Sequence, residues 1–265
     1  MNSKCMLYAC AAATALVGYG VHAEETEGEA KPISVEASVQ ADSRYISYGF
    51  CDDKKPIYTP SGSITLYDHL TLGTEAIFDH RGKYLELHPE AAFTWVFDAE
   101  EWNLPTTVEL AVGYQYEYQA HDEDTQFVTA GIALPDLWIE PSFVYERDII
   151  RDNGTYLSLE LGHTFEITED LTLRPSIAQG FGNRARVAAY ACDDDGALEK
   201  AALMDTCVKL EAEYALTDYL TIGGYVAYSD FLLAGSSMRD YAKTYNESVH
   251  DSYNFFGGLS ATLTF

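Results

Sequence analysis

Positive charge is scarce in this chain: 16 Lys and Arg stand against 42 Asp and Glu, for a formal net charge of -26 at pH 7. Such acidity excludes nucleic acid as a partner and electrostatic docking on anionic lipid, since both need a basic face. Long apolar runs are scarce as well. One extends from about Met6 to Val21, and no later stretch approaches the roughly 18 to 20 apolar residues of a spanning helix. No helical membrane span is therefore expected. Acidic chains are often disordered, but an aromatic content of 13% and repeated alternating segments oppose that here.

What is present begins with an address. Lys4, the apolar run and Val21-His22-Ala23 before Glu24 read as a secretory signal, residues 1–23, cleaved after Ala23. Residues 24–32, rich in Glu and Gly, read as a short exposed leader. Lys4 is the only charged residue before Glu24, so cleavage leaves the chain still more acidic.

Residues 33–265 carry one repeating signal, an alternation of period two. In the first segment Val35, Ala37, Val39 and Ala41 face one way and Glu36, Ser38, Gln40 and Asp42 the other. Twelve such segments are expected: from Ile33 to Tyr48, Ile57 to Tyr67, Leu70 to Phe78, Tyr84 to Phe97, Thr106 to Tyr118, Thr125 to Leu134, Leu137 to Ile149, Leu157 to Ile167, Leu171 to Phe181, Thr206 to Leu216, Tyr219 to Phe231, and Tyr253 to Phe265. Pro89 and Pro141 fall inside two of them, where a bulge is expected because proline lacks the ladder donor. Connections after even-numbered strands are mostly short, as at Asp68-His69 and Thr217-Asp218, and the two longest follow strands nine and eleven.

The last segment decides the fold class. Tyr253, Phe255, Gly257, Leu259, Ala261, Leu263 and Phe265 form one apolar row and the chain stops on the aromatic. Backbone groups of such a strand need a neighbour, and pairing it with the first strand closes a barrel without edges. Here the chain resembles the bacterial outer-membrane β-barrel family, whose final strand carries this alternation and a terminal aromatic. That resemblance implies an all-β, twelve-stranded up-and-down antiparallel transmembrane β-barrel in the outer membrane of a Gram-negative-type bacterium. It also implies lipid around the wall and the barrel-assembly machinery as a partner of the strand ending at Phe265. Ser43-Arg-Tyr45-Ile-Ser-Tyr-Gly49 further resembles the opening hairpin of a proteobacterial outer-membrane-type family of unassigned function.

With the apolar rows towards lipid, the other rows line a lumen: Glu36, Glu75, Glu86, Glu90, Glu109, Glu117, Glu140, Glu146, Glu160, Glu166, Glu211 and Glu213, with Arg44, His88, Arg174 and Lys209. Two states fit this lining: an open acidic path that concentrates cations, or a lumen partly plugged by ion pairs. Aromatics near strand ends, among them Tyr116, Tyr145, Tyr228, Trp95, Trp138 and Phe265, read as interfacial anchors, with Tyr45, Tyr48 and Tyr156 on the outer rim. The twelve-strand porins for acidic sugars, similar in size, carry a lumenal arginine track that is lacking here.

Of the cysteines after residue 23, Cys192 and Cys207 bracket an acidic loop and are a disulfide candidate, while Cys51 bridged to either is an alternative. Asp193, Asp195 and Gly196 lack the later Glu of a calcium loop. No metal site and no cofactor is expected. The barrel phospholipases place a Ser two residues after the catalytic His, and Phe165 follows His163, so that resemblance fails. Loop pairs such as Asp79-His80 supply no specific spacing, and no enzyme is expected. The sequence points first to a porin-like passive channel for small polar solutes or cations. A structural or adhesive surface protein acting through its long loops is second, and a rim hydrolase third.

Overall fold

Backbone donors and acceptors need a ladder on both edges of every strand that faces lipid, and the chain supplies one by laying each strand against its predecessor. The computed structural model describes residues 32–120, 123–190, 192–193, 196–197, 200–235, 238, 240 and 254–265, those from 190 to 199 by backbone alone. The expected signal, and the leader up to Lys31, lie outside the described residues. The spanning strands are β1 (Ile33–Asp42), β2 (Ile57–Leu66), β3 (Leu70–Asp79), β4 (Tyr84–Phe97), β5 (Val108–Gln119) and β6 (Thr125–Ala133). They continue with β7 (Ser142–Asp148), β8 (Thr155–Gly162), β9 (Leu171–Gly182), β10 (Ala202–Thr217), β11 (Leu220–Asp230) and β12 (Asn254–Thr264). A short helix, α1 (Arg184–Tyr190), follows β9.

Each strand pairs antiparallel with its sequence neighbours, and β1 pairs with β12 from Glu36↔Thr264 to Asp42↔Gly258. Val35 and Phe265 exchange backbone hydrogen bonds of 3.0 and 2.9 Å at the seam. The result is a closed twelve-stranded antiparallel barrel of the transmembrane type. Apolar side chains such as Val39, Leu72, Val112, Leu159, Val226 and Leu259 stand exposed on its outside, while Thr129, Ser176 and Ser229 of the opposite parity are buried within. A soluble barrel of this size would invert that pattern.

One end carries tight turns. At Tyr67 and Asp68 both φ angles are positive (52° and 58°), the left-handed pair that matches strand twist in a two-residue hairpin. The other end carries the long loops, and there the chain departs from expectation. The first strand does not run to Tyr48. It ends at Asp42, and residues 43–56 fold across the mouth as an inner hairpin, Tyr45–Ser47 against Phe50–Asp53. The Tyr48-Gly49 turn, at φ 47° and 85°, reverses the chain. Gly49 is required: a Cβ there would lie 2.5 Å from Asp205 Cβ and 2.9 Å from the Phe231 ring.

The two proline bulges are also absent. The β4–β5 ladder passes from Leu87↔Tyr118 to Glu90↔Gln115 in unchanged register, so Pro89 leaves a gap in pairing and no extra residue. Pro141 precedes β7, which starts at Ser142, because residues 134–141 form the turn. The segment expected from Leu157 to Ile167 is broken after Gly162 and resumes only as Phe165–Glu166 on β9.

The assignment of faces has a direct test. Val226, outward and central on β11 between Leu210 and Gly257, should lose about 2–4 kcal/mol of folding stability when replaced by Arg, the cost of a cation against mid-membrane hydrocarbon. Denaturant titration of refolding into phosphatidylcholine vesicles measures it.

Candidate functional site

The interior divides into a filled mouth at the long-loop end and an acidic chamber towards the short turns. An apolar core lies inside the mouth: Tyr48 and Phe50 of the hairpin, Tyr156 of β8, Val187 of α1, Met204 of β10, and Phe231, Ala234 and Met238. Phe50 meets Phe231 with ring centroids 4.9 Å apart, and Tyr48 meets Tyr156 at 4.7 Å. Tyr45, Tyr48 and Tyr156 are thus not rim anchors in lipid. A tyrosine on a loop that turns inward has the same sequence appearance as one on a strand that continues outward.

Three polar groupings hold the mouth. The hairpin reaches the walls on several sides: Tyr45 Oη donates to Glu86 Oε2 at 2.9 Å on β4, Tyr48 Oη donates to Glu146 Oε1 on β7, and Asn254 Nδ2 of β12 donates to Gly49 O at 2.6 Å. Around His88, Glu75 lies at 2.9 Å from Nδ1, Glu86 at 3.0 Å and Glu117 at 3.8 Å from Nε2. The third centres on Arg186 of α1, which is 0% exposed. Its Nη2 is 3.4 Å from Glu146 Oε1, its Nη1 is 3.6 Å from Asp152 Oδ2, and it lies 5.2 and 5.6 Å from the rings of Tyr48 and Phe127.

Arg186 was not legible as a site residue. Asn183 does mark the start of its helix, since Asn183 Oδ1 accepts from Arg186 N at 2.9 Å, but nothing local says that the helix turns inward. Burial pushes the Asp152 carboxyl in the outer loop above the usual carboxylate range, with the Arg186 guanidinium opposing the rise. Asp52 of the hairpin is driven well above that range by burial, with Glu86 and Asp53 adding to it, and neither of its oxygens finds a hydrogen bond among the described residues.

The chamber below has one paired wall. Arg174 on β9 donates to Glu160 Oε1 at 2.6 Å and Glu140 Oε2 at 3.4 Å, and lies 3.9 Å from Glu211, which Lys209 also meets at 2.9 Å. Glu140 belongs to the turn before β7 and reaches in from it, accepting from Thr164 N and Oγ1. Glu36, Glu90, Glu109 and Glu213 lie on strands β1, β4, β5 and β10 and have no ion pair among the described residues. Glu166 is exposed at the turn end, and Arg44 is half-buried ahead of the hairpin.

Of the anchor aromatics, Trp138 is 74% and Phe265 65% exposed, and Trp95 is exposed beside Phe93. Tyr116, Tyr145 and Tyr228 are half-buried on the outward parity, Tyr116 lying 4.3 Å from Tyr118. Cys207 is a free thiol on β10 among the described residues, and the side chain of Cys192, its expected partner, lies outside them. Cys51 is buried in the hairpin, where desolvation raises its thiol to about 11. Asp79 is a turn cap, accepting from the backbone of Arg81 and Lys83 at 2.8 Å. The loop pairs His121-Asp122 and His250-Asp251 lie outside the described residues.

No family model matches the chain, and no curated protein matches it by sequence. Solved structures do match in fold. The KdgM porin aligns with a TM-score of 0.51 at 9% identity, over 88% of this chain and 99% of that one. The NanC porin aligns at 0.50 and 11% identity over 87% and 98%. An outer-membrane channel from Pseudomonas putida F1 aligns at 0.51 and 12% identity over 91% and 98%.

Replacing Arg186 by Met leaves Glu146 and Asp152 as uncompensated buried carboxylates, a loss of about 3–5 kcal/mol for the packed mouth. The Asp152 carboxyl in the outer loop, already raised by burial, then loses the guanidinium that opposes the rise. An acid whose docked pKa exceeds its undocked one favours docking at low pH and loses it as pH rises through the docked value. Limited proteolysis of the long-loop end of Arg186→Met, refolded in detergent, should therefore quicken as pH rises, whereas the wild type should change less.

Proposed function

We propose that this protein is a porin-like passive channel of a Gram-negative-type outer membrane, passing small polar solutes or cations with a weak cation preference. In this reading residues 1–23 are a signal removed on secretion, residues 24–32 are a short exposed leader and residues 33–265 are a single β-barrel domain. Lipid surrounds the exposed apolar rows, and the assembly machinery receives the strand ending at Phe265.

The observation that carries the reading is the set of unpaired carboxylates. Arg174 and Lys209 answer Glu140, Glu160 and Glu211, but Glu36, Glu90, Glu109 and Glu213 have no ion pair among the described residues. Carboxylates in a narrow wall of low dielectric focus a negative potential on the enclosed water, which raises the local concentration of cations and lowers that of anions. The fold supports it too, since the neighbours with similar barrels are described as porins and as a channel. The inner hairpin then sets the resting conductance, because it stands between this chamber and the long-loop side.

The filled mouth favours a second reading, a structural or adhesive barrel that works through its outer loops and conducts nothing. A planar bilayer separates the two. For a channel, deleting Ile46 to Asp52 should raise the single-channel conductance several-fold, and a salt gradient should give a reversal potential of cation-preferring sign. Replacing Glu36, Glu90, Glu109 and Glu213 together by Gln should lower the cation-to-anion permeability ratio by about two- to threefold. Anion preference would remove the proposal. Silence of the deletion variant would leave the structural reading.

A further inference from the structure

We propose that Glu86, His88 and Glu117 form a binding site for one divalent transition ion of the zinc type, built into the barrel wall beneath the inner hairpin.

The strand geometry makes the site. Glu86 and His88 are two residues apart on β4 and share its inward face, and Glu117 projects from the same side of the adjacent β5. One ligand atom from each lies within 4.8 Å of the other two, and all three residues are buried. His88 Nε2 is 3.0 Å from Glu86 Oε2 and 3.8 Å from Glu117 Oε2. Donor atoms this far apart can each approach a central ion to the roughly 2.0–2.2 Å of zinc–nitrogen and zinc–carboxylate bonds with small side-chain movements. The gap in the β4–β5 ladder at His88 and Pro89 adjoins the site.

Two further observations point to a cation. Glu117 is 0% exposed, and its Oε2 has no hydrogen-bond partner among the described residues while facing His88 Nε2. A buried carboxylate oxygen that accepts no hydrogen bond is costly unless something positive meets it. The other nitrogen of the same imidazole, Nδ1, lies 2.9 Å from Glu75 Oε1. That is the outer arrangement metal-bound histidines use: a carboxylate takes the Nδ1 proton, fixes the tautomer and leaves the Nε2 lone pair for the ion.

The alternative is an imidazolium that donates to Glu75 from Nδ1 and to Glu86 from Nε2. It leaves Glu117 Oε2 unanswered and sets one positive charge among three carboxylates. A divalent ion displaces the Nε2 proton to solvent, neutralises Glu86 and Glu117, and leaves Glu75 hydrogen-bonded to a neutral imidazole. Tyr45 Oη donates to Glu86 Oε2 from the hairpin, so the ion and the hairpin act on one carboxylate. The ion fastens the wall to which the hairpin is tied.

The site is independent of whether the barrel conducts, and the test reads binding. Refolded full-length protein in detergent, stripped with a chelator, is titrated with Zn2+ by calorimetry and with Co2+ by visible absorption. One ion per barrel is expected, with the d–d bands of a low-coordinate nitrogen and oxygen site. His88→Gln and Glu117→Gln should each weaken that binding at least about 100-fold, and Glu75→Gln, which keeps all three ligands, by about 10–100-fold. Glu213→Gln, on the far wall, should leave it unchanged. Absence of a saturable one-to-one event would overturn the proposal, as would equal binding by wild type and Glu75→Gln, which retains every ligand even if His88→Gln does not fold. Loss of binding in Glu213→Gln to the same degree would show a diffuse acidic lumen instead and would equally remove the site.

Discussion

Closure of the hydrogen-bond ladder between β1 and β12 is the constraint from which the other features descend. In hydrocarbon an unpaired strand edge costs several kcal/mol per orphaned backbone group, so the seven pairs from Glu36↔Thr264 to Asp42↔Gly258 are what permit the wall to face lipid at all. Once the wall closes, the parity of every strand is committed at once. Val39 and Leu259 stand outside, and Gln40, Ser260 and the carboxylate-bearing positions stand inside, because a slip of one residue anywhere would exchange the two faces. The concentration of acid inside follows from that commitment and from the dielectric contrast across the wall.

A lumen lined by so many carboxylates carries its own cost, and the molecule handles it differently at its two ends. Near the short turns, Arg174 and Lys209 answer Glu140, Glu160 and Glu211, and the remaining acids face the enclosed volume. Near the long loops, water is displaced by Tyr48, Phe50, Phe231 and Met238, so the acids there must find partners inside protein. Arg186 meets Glu146 and Asp152, Tyr45 meets Glu86, and His88 sits among Glu75, Glu86 and Glu117. The mouth is thus an apolar core pinned by buried charge, a combination whose stability depends on each partner staying in place.

Legibility followed physical range. Period-two alternation, tight turns and the terminal apolar row are properties of neighbours in sequence, and they located all twelve strands to within a few residues at most ends. The errors fell where a distant partner overrides the local pattern. Ser43 to Tyr48 continues an alternating segment, yet contacts with Glu86, Glu146, Asp205 and Asn254, each remote in sequence, draw it across the mouth. Pro89 reads as a bulge because the missing donor is local, whereas the β3 and β5 registers that hold the strand straight are not. Glu86-Leu87-His88 does place two ligating types on one face, but the third, Glu117, arrives only through the β4–β5 register.

By itself the sequence determined that this chain is a barrel of alternating strands with an acidic inner face and an apolar outer one, since both follow from side-chain parity and the requirement that every backbone group be paired. Which carboxylates are answered, and by what, was decided by tertiary structure alone. Lys209 meets Glu211 two residues along its own strand, but Arg174 reaches acids of the strands on either side, and Arg186 and the hairpin cross the mouth to walls that closure has brought near. That choice depends on distances between residues far apart along the chain, and local pattern carries no information about them.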